Sequence, residues 1–533
     1  MTVTADPLVG PPIFVRSRRG NPREHNARLP VAVPFSVAII AAAVAGGILD
    51  FAYPAYGWWP AAFVSVTIGL WTLRGRSLPG AFLISLVYGA AFYFTHLAWV
   101  SRFLGPIPWV ALAGLEALLF GAGGVLIALA YRATTRTGYG YRAITPLLVA
   151  GVWVLRETLM GSTPYTGFPW ARVGFSLAES PLAEAASWVG TTGLSFLTVL
   201  VCASVVEALI LRRWEPAAAA AVIVVAAIAV PLFPTEQAGM LRVGWVQGNG
   251  PSGYFDTKTT GDILRAQEEA TAPLLDREMD LLVWPEGAVD ADPLRDVAVA
   301  GRLDRLVQGA GAPALVNAAT TRGADTFNTS MLWTSAGPQQ LHDKANPVPF
   351  GEYVPDRWFY EAIAPDLIGL IQREYTPGSN TPLMNVGDVP IGLAICFDVI
   401  YNDVIHQSAA SGAQMFVFQT NNADFRGTDE NLQQLAIARM RALETGRTAV
   451  NVSTTGTSQV IGRDGKVLAQ VAVDTTAAKI TEVPLRTGTT LAVVLMPWLG
   501  WTLSIGSVLA LLVVSIRQRR SDAHSQEDGW MKL

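Results

Sequence analysis

The stretch Val389-Pro-Ile-Gly-Leu-Ala-Ile-Cys-Phe-Asp398 reads as a buried β-strand that runs straight into a cysteine and a carboxylate. A second stretch, Asp280-Leu-Leu-Val-Trp-Pro-Glu-Gly287, has the same plan with a glutamate past its end. Working outward, Leu241-Arg-Val-Gly-Trp-Val-Gln247 reads as a strand entering Gly-Asn-Gly, and a polar helical stretch follows at about 258–277. A helix near 293–308 leads to Ala314-Leu-Val-Asn317. Phe327 to Trp333 and Gly337 to His342 look like a strand pair. Gln414-Met-Phe-Val-Phe-Gln419 is a further strand, 429–446 a helix, and 448–461 and 466–473 strands. Short apolar runs alternating with helical stretches predict a layered α/β domain over 240–488. The polar residues of interest fall just past strand ends, where such sheets hold ligands.

The rest of the chain is different. Of its 533 residues, 51% are hydrophobic and only 15% charged, and the mean hydropathy is +0.34. Soluble domains carry about 25% charged residues, so the composition rules out a disordered chain and argues against a purely soluble one. The net charge of −4 leaves no basic excess for nucleic acid. Two cysteines, Cys202 and Cys396, cannot make a disulfide framework, and the His and Cys residues show no metal-ligand spacing. No cofactor or metal is expected.

Apolar stretches lie at about 31–49, 54–73, 79–100, 107–131, 143–160, 183–211, 217–233 and 491–516. Most approach the ~20 residues a helix needs to cross the hydrocarbon core. The expected organisation is a 1–29 Arg-rich leader, seven spans over 30–239, the 240–488 domain, an eighth span over 489–516 and a 517–533 tail. Arginines fix the orientation. The leader holds Arg16, Arg18, Arg19, Arg23 and Arg28. The even loops hold Arg74 and Arg76, then Arg132, Arg136 and Arg142, then Arg212 and Arg213. The tail holds Arg517, Arg519 and Arg520. With eight spans every cluster falls on one side, so both termini are cytoplasmic and the domain is not. His96, Glu116 and Glu207 lie within spans; Glu207 is expected to pair with Arg212 near the inner surface, and Cys202 to be packing.

Three residues in the domain make a complete nucleophilic set. The Cys396 thiol needs a base to become a thiolate, and Glu286 can accept that proton. Lys344, with the Phe397 backbone N–H, can hold a tetrahedral oxyanion. Residues 357–371 form an apolar arm after the lysine loop, expected as a lid that dips toward lipid, with Trp358 and Phe359 as possible substrate contacts. Trp170 is expected to touch substrate or lipid, or to anchor at the bilayer interface.

Glu286, Lys344 and Cys396 resemble the Glu–Lys–Cys triad of the nitrilase (carbon–nitrogen hydrolase) superfamily. The run Val348-Pro-Phe-Gly-Glu-Tyr-Val-Pro355 after Lys344, Thr166-Gly-Phe-Pro-Trp170, Val246-Gln-Gly-Asn249 and Ile437-Ala-Arg-Met-Arg-Ala-Leu-Glu-Thr-Gly-Arg447 narrow this. With the spans, the chain resembles the apolipoprotein N-acyltransferase family. The resemblance implies an αββα sandwich, with Glu352 holding Lys344 charged and oriented. It implies a multi-pass protein of the bacterial inner (plasma) membrane whose catalytic domain is extracytoplasmic. The acyl donor would be a membrane phospholipid, the intermediate a Cys396 thioester, and the acceptor the α-amine of a diacylglyceryl-modified apolipoprotein. The family carries Tyr-Glu after the cysteine; this chain has Phe397-Asp398. Two rivals share the evidence: a membrane-tethered amidase or nitrilase, and a membrane scaffold recruiting a partner enzyme.

Overall fold

The computed structural model describes residues 33–136, 143–372 and 374–530. The leader arginines and Arg142 lie outside the described residues, as do the side chains of Arg136, Arg519 and Arg520.

Every apolar stretch becomes a helix: α1 (Phe35–Asp50), α2 (Pro60–Leu73), α3 (Leu78–His96), α4 (Pro106–Arg136), α5 (Thr145–Met160), α6 (Ala186–Leu211), α7 (Glu215–Ala229) and α13 (Leu499–Trp530). Helices satisfy their own backbone groups, which is the condition for lying in hydrocarbon. Four apolar segments, Leu78–His96, Pro106–Thr134, Ala183–Leu211 and Leu499–Gln518, are long enough to cross a membrane, while α1, α2 and α7 are apolar but shorter. The protein is a membrane protein with several candidate spans. The last apolar stretch is not one helix from 491. A single turn, Leu491–Leu495, is capped by the Thr490 hydroxyl accepting from Val493 N, and Pro497 follows. Proline lacks the N–H that would continue that turn. The long helix starts at Leu499 and runs beyond the expected end at 516.

Buried ion pairs order the helix ends. Arg74, after α2, pairs with Glu207 on α6, so the expected Glu207–Arg212 pair is replaced. Both partners of the new pair are under a tenth exposed, which only a close pairing allows. The Arg132 guanidinium donates to Arg76 O at 2.7 Å, placing the Arg-bearing ends of α2 and α4 together. At the other end, His96 Nδ1 meets Asp50 Oδ1 at 2.9 Å. That end abuts the α/β domain.

The domain has two six-stranded sheets. One is ordered β12-β1-β2-β3-β4-β5 and the other β11-β10-β9-β8-β7-β6. The strands are β1 (Glu236–Gln247), β2 (Leu281–Val283), β3 (Ala314–Arg322), β4 (Asp325–Thr334), β5 (Gly337–Asp343), β6 (Leu383–Val386), β7 (Val389–Ile395), β8 (Met415–Thr420), β9 (Ala449–Ser453), β10 (Ser458–Ile461), β11 (Val467–Val471) and β12 (Ala477–Thr487). Successive side chains alternate between faces. Leu281 and Val283 therefore enter the core between the sheets with Leu393 and Val417, while Leu282 and Trp284 enter the outer core. That outer core is covered by α8 (Asp262–Thr271) and α9 (Val297–Ala310). The second sheet turns Phe416 and Phe418 outward onto α11 (Asn402–Ala410) and α12 (Glu430–Thr445). The layers are thus helix, sheet, sheet, helix. Beyond them, α12 is buried on its second face by the bundle, and one apolar cluster runs unbroken from the second sheet through α12 into α1–α6.

The strand reading needs three corrections. The segment 448–461 is a hairpin of two strands, β9 and β10, not one. The helix near 293–308 starts at Val297, where Asp296 caps it by accepting from Ala298 N and Val299 N. Strands β6 and β12 were not legible; β6 pairs antiparallel with β7, and β12 antiparallel along β1.

Candidate active site

Cys396 sits where β7 turns into a short 3₁₀ helix, Cys396–Ile400. Its φ of +51° is left-handed, a strained conformation for a residue with a side chain. The turn lifts the thiol out of the sheet and places the following N–H groups at a helix start, where they have no intrahelical acceptor. The Sγ accepts a hydrogen bond from Gln434 Nε2 on α12 at 3.5 Å.

Glu286 follows β2, and Lys344 follows β5. Lys344 N is fixed to Asn328 O on β4 at 2.8 Å. The Lys344 ammonium is 1% exposed and lies 3.2 Å from Glu286 Oε1 and 2.8 Å from Glu352 Oε2. Asn328 Nδ2 ties the two carboxylates, at 2.7 Å from Glu286 Oε1 and 3.3 Å from Glu352 Oε1. Glu352 Oε2 also accepts from Val348 N at 2.7 Å, which closes the loop around the lysine.

The electrostatics follow from burial and an excess of negative groups. Burial pushes the Glu286 carboxyl up, and the nearby Glu352 charge adds to this against the pull of Lys344. Burial alone would lower Lys344, but Glu286, Glu352, Cys396 and Asp398 together hold it well above the ordinary lysine value. Burial also drives the Cys396 thiol well above its ordinary value, and the Glu286 charge adds to this. Burial therefore favours the protonated thiol over the thiolate.

Asp398, the shorter carboxylate after Phe397, is fully buried and pushed up to about 6 by burial. Its Oδ1 accepts from Asn346 N at 2.8 Å and Asn346 Nδ2 at 3.1 Å, and its Oδ2 from Ala345 N at 3.2 Å. It therefore fastens the lysine loop to the cysteine turn. The Phe397 ring stacks at 5.8 Å on Phe168 and at 6.5 Å on Trp170.

Trp170 is no interface anchor. It is 2% exposed, and its Nε1 donates to Gln433 Oε1 on α12 at 2.8 Å. Gln433 Oε1 also accepts from Trp99 Nε1 at 3.1 Å, and its Nε2 reaches His96 O at 3.3 Å. Trp170 thus packs between the bundle and the helix behind the thiol. Trp358 and Phe359, on α10 (Arg357–Ile363), are 77% and 45% exposed, while Ile368 and Ile371 tuck under Val354. Cys202 is buried packing.

Sequence reasoning missed the amide and acid network on the other side of the sulfur. Asn422 Nδ2 donates to Gln434 Oε1 at 3.0 Å and to Glu430 Oε2 at 2.8 Å. Glu430 is buried, and burial pushes it up to about 8. It also missed Asn328, which ties Glu286 to Glu352; here a signal existed, because Asn317 and Asn328 stand inside otherwise apolar or β-branched strands, where asparagine is depleted. For Glu430 and Gln434 on a polar helix there was none.

Two family models match the chain: the apolipoprotein N-acyltransferase N-terminal domain over residues 45–204, and carbon-nitrogen hydrolase over residues 242–492. An apolipoprotein N-acyltransferase of Mycolicibacterium smegmatis is 30% identical, the match covering 90% of this chain and 86% of the relative. One of Photobacterium profundum is 25% identical, covering 90% and 95%. Among solved structures, an amidase from Nesterenkonia aligns with a TM-score of 0.34 at 17% identity, over 47% of this chain and 92% of its own. From these matches over nearly its whole length, the chain belongs to the apolipoprotein N-acyltransferase family of the carbon–nitrogen hydrolase (nitrilase) superfamily and is an enzyme of that activity.

Proposed function

We propose that Glu286, Lys344 and Cys396 carry a two-step acyl transfer. Glu286 takes the thiol proton as Cys396 attacks an acyl ester of a membrane phospholipid. The Lys344 ammonium and the Phe397 N–H hold the oxyanion, and a lysophospholipid leaves with the proton returned by Glu286. The thioester then meets the α-amine of a diacylglyceryl-modified apolipoprotein. Glu286 takes the amine proton, the amide forms, and the thiol is restored. Glu352 and Asn328 keep Lys344 and Glu286 in register throughout.

The observation that carries this reading is the seat of the nucleophile. The residue after Cys396 stacks on Phe168 and Trp170 of the bundle, so the thiol stands beside the membrane half. A small-substrate amidase has no use for that placement. The exposed Trp358 and Phe359 suit an arm that enters lipid and covers the thioester, limiting its loss to water.

All eight apolar helices cross the membrane in this reading. The grouping of Arg74, Glu207, Arg76 and Arg132 at one end supports it, as does the junction of Asp50 and His96 with the domain at the other. The Arg-rich end is cytoplasmic and the domain extracytoplasmic. Intact-protein mass spectrometry after exposure to phospholipid tests the mechanism. An acyl-sized adduct on Cys396 that moves to a diacylglyceryl peptide amine is expected. No adduct leaves the scaffold reading, and transfer to water alone leaves the amidase.

A further inference from the structure

A cavity of about 320 Å³ lies away from the triad, where the bundle meets the domain. Glu286, Lys344 and Cys396 do not line it. Its membrane-side wall is the end of α5 with Thr158 and the first turn of α13 with Gly500 and Trp501; its domain-side wall is the start of α11 with Asn402 and Asp403. Arg172 lines it between these walls.

Arg172 is an unusual arginine. Its Nε is shut off from solvent with no hydrogen-bond partner. Its Nη1 donates to Asn402 Oδ1 at 3.1 Å, and among the described residues no carboxylate lies within the 4 Å of an ion pair. Burial first, and then the neighbouring Arg441 charge, lower it to about 10, so it stays a cation at neutral pH. A part-buried guanidinium with spare donors beside a cavity fits a bidentate anion, above all a phosphate.

The location decides the source. Trp498 and Trp501 are 70% and 44% exposed at the head of the apolar α13, and Ile505 is 54% exposed one turn further. Aromatic rings above an apolar face mark the headgroup level of a bilayer. The volume is at the lower edge of ligand cavities, about 300–1,000 Å³, which suits a headgroup with its chains left outside along α13. Asp403 adds a carboxylate to the same cavity, so a headgroup bearing an ammonium as well as a phosphate fits better than a purely anionic one.

We infer that this cavity is a binding site, separate from the catalytic site, for the headgroup of a zwitterionic phospholipid, with its phosphodiester on Arg172. The inference rests on the membrane placement above but not on the triad. It also reaches the nucleophile. Asn402 Oδ1 takes a second hydrogen bond from Arg441 Nη1 at 3.0 Å, and Arg441 in turn holds Val399 O at 2.8 Å and Ile400 O at 2.7 Å in the turn that begins at Cys396. A headgroup on Arg172 is thus two residues removed from the turn that presents the thiol.

The test uses the full chain in detergent and a diether phosphatidylethanolamine, which has no acyl ester and cannot be consumed. Native mass spectrometry counts retained lipids. The wild-type protein is expected to retain one more lipid than Arg172→Gln, with about tenfold weaker retention in the variant. Gln407→Lys, on the exposed rim, adds a cation without touching packing and is expected to weaken the preference for the ammonium-bearing headgroup. Diether phosphatidylglycerol is expected to be held less well by the wild type, and Asp403→Asn to remove that preference. Equal lipid counts for wild type and Arg172→Gln, with an unchanged headgroup preference in Gln407→Lys, overturn the site. Displacement of the lipid by inorganic phosphate at equal concentration overturns the lipid assignment in favour of a free anion. Loss of thioester formation with lipid retention intact points instead to failure of the triad.

Discussion

The helix junctions of the bundle and the candidate active site bury ionisable groups in opposite ways. At the junctions these groups are matched partner for partner: Arg74 with Glu207, His96 with Asp50. At the site, one ammonium, Lys344, answers two carboxylates and sits near the Cys396 thiol, which a further acid, Glu430, also faces. Matched pairs hold helices together and do nothing else. The unmatched cluster cannot settle all its protons, so burial drives Glu286, Cys396 and Glu430 away from their ordinary values. Groups left in that condition are the ones that exchange protons during a reaction. The deficit of compensation is concentrated in the candidate active site, whereas Arg74–Glu207 and His96–Asp50 are each paired.

The largest effect is expected from deleting the centre of the unmatched cluster. Cys396→Ala should abolish thioester formation and transfer altogether, read by intact mass. Cys396→Ser should be nearly as inactive, because an alkoxide is far harder to generate than a thiolate. N-acylation by purified Cys396→Ala would remove the sulfur from the mechanism.

Next comes the base. Glu286→Gln should slow single-turnover acylation by about 10²–10⁴, the usual range for a lost general base. In the wild type the acylation rate should fall as pH drops through the folded value of Glu286, and that fall should lie above the ordinary carboxylate region near ~4.3, because burial raises it. An acid limb at or below that region would assign the base to a more exposed carboxylate.

A smaller and selective effect is expected at the arm. Trp358→Ala with Phe359→Ala should leave thioester formation near normal and slow transfer to the amine, or divert it to water, if arm motion gates exchange of lysophospholipid for protein. Normal rates in both half-reactions would make the arm packing only.

The smallest effects on turnover, and the sharpest contrast, come from one residue in each half. Arg74→Gln strands a buried Glu207, a change that costs about 3–5 kcal/mol in soluble proteins. It should lower the melting temperature while leaving acylation per folded molecule unchanged. Glu430→Gln should act the other way. Glu430 titrates at about 8 when folded, so the folded state keeps a proton that the unfolded chain gives up. Its stability contribution is full below the ordinary carboxylate value and is lost as pH rises toward about 8. The variant should flatten that decline in a melting-temperature series. An unchanged slope would mean Glu430 is already ionised and the comparison between the halves too simple.

Much of this was legible in the sequence, for a definite reason in each case. The apolar helices were readable as long apolar runs, and the strands carrying Glu286 and Cys396 because burial between layers leaves short apolar runs with turn residues at their ends. Those signals are local, so composition and spacing carry them. Glu286, Lys344 and Cys396 were readable as three chemically complementary residue types at strand ends. What the sequence could not set was which distant groups meet. The exchange of Arg212 for Arg74 at Glu207, the burial of Trp170 against Gln433, the seat of Asp398 beneath the lysine loop, and the Glu430–Asn422–Gln434 chain to the sulfur join segments that lie far apart in sequence or face one another only after the second sheet has docked on the bundle. Strand β12 escaped for the same reason. Its residues mix polar and apolar types and are mostly half-exposed, and it is a strand because β1 offers it an edge. The residue types determined which chemistry was available. Packing of the sheet, α12 and the bundle into one continuous core decided which partners each buried charge acquired, and through them which protons are left free to move.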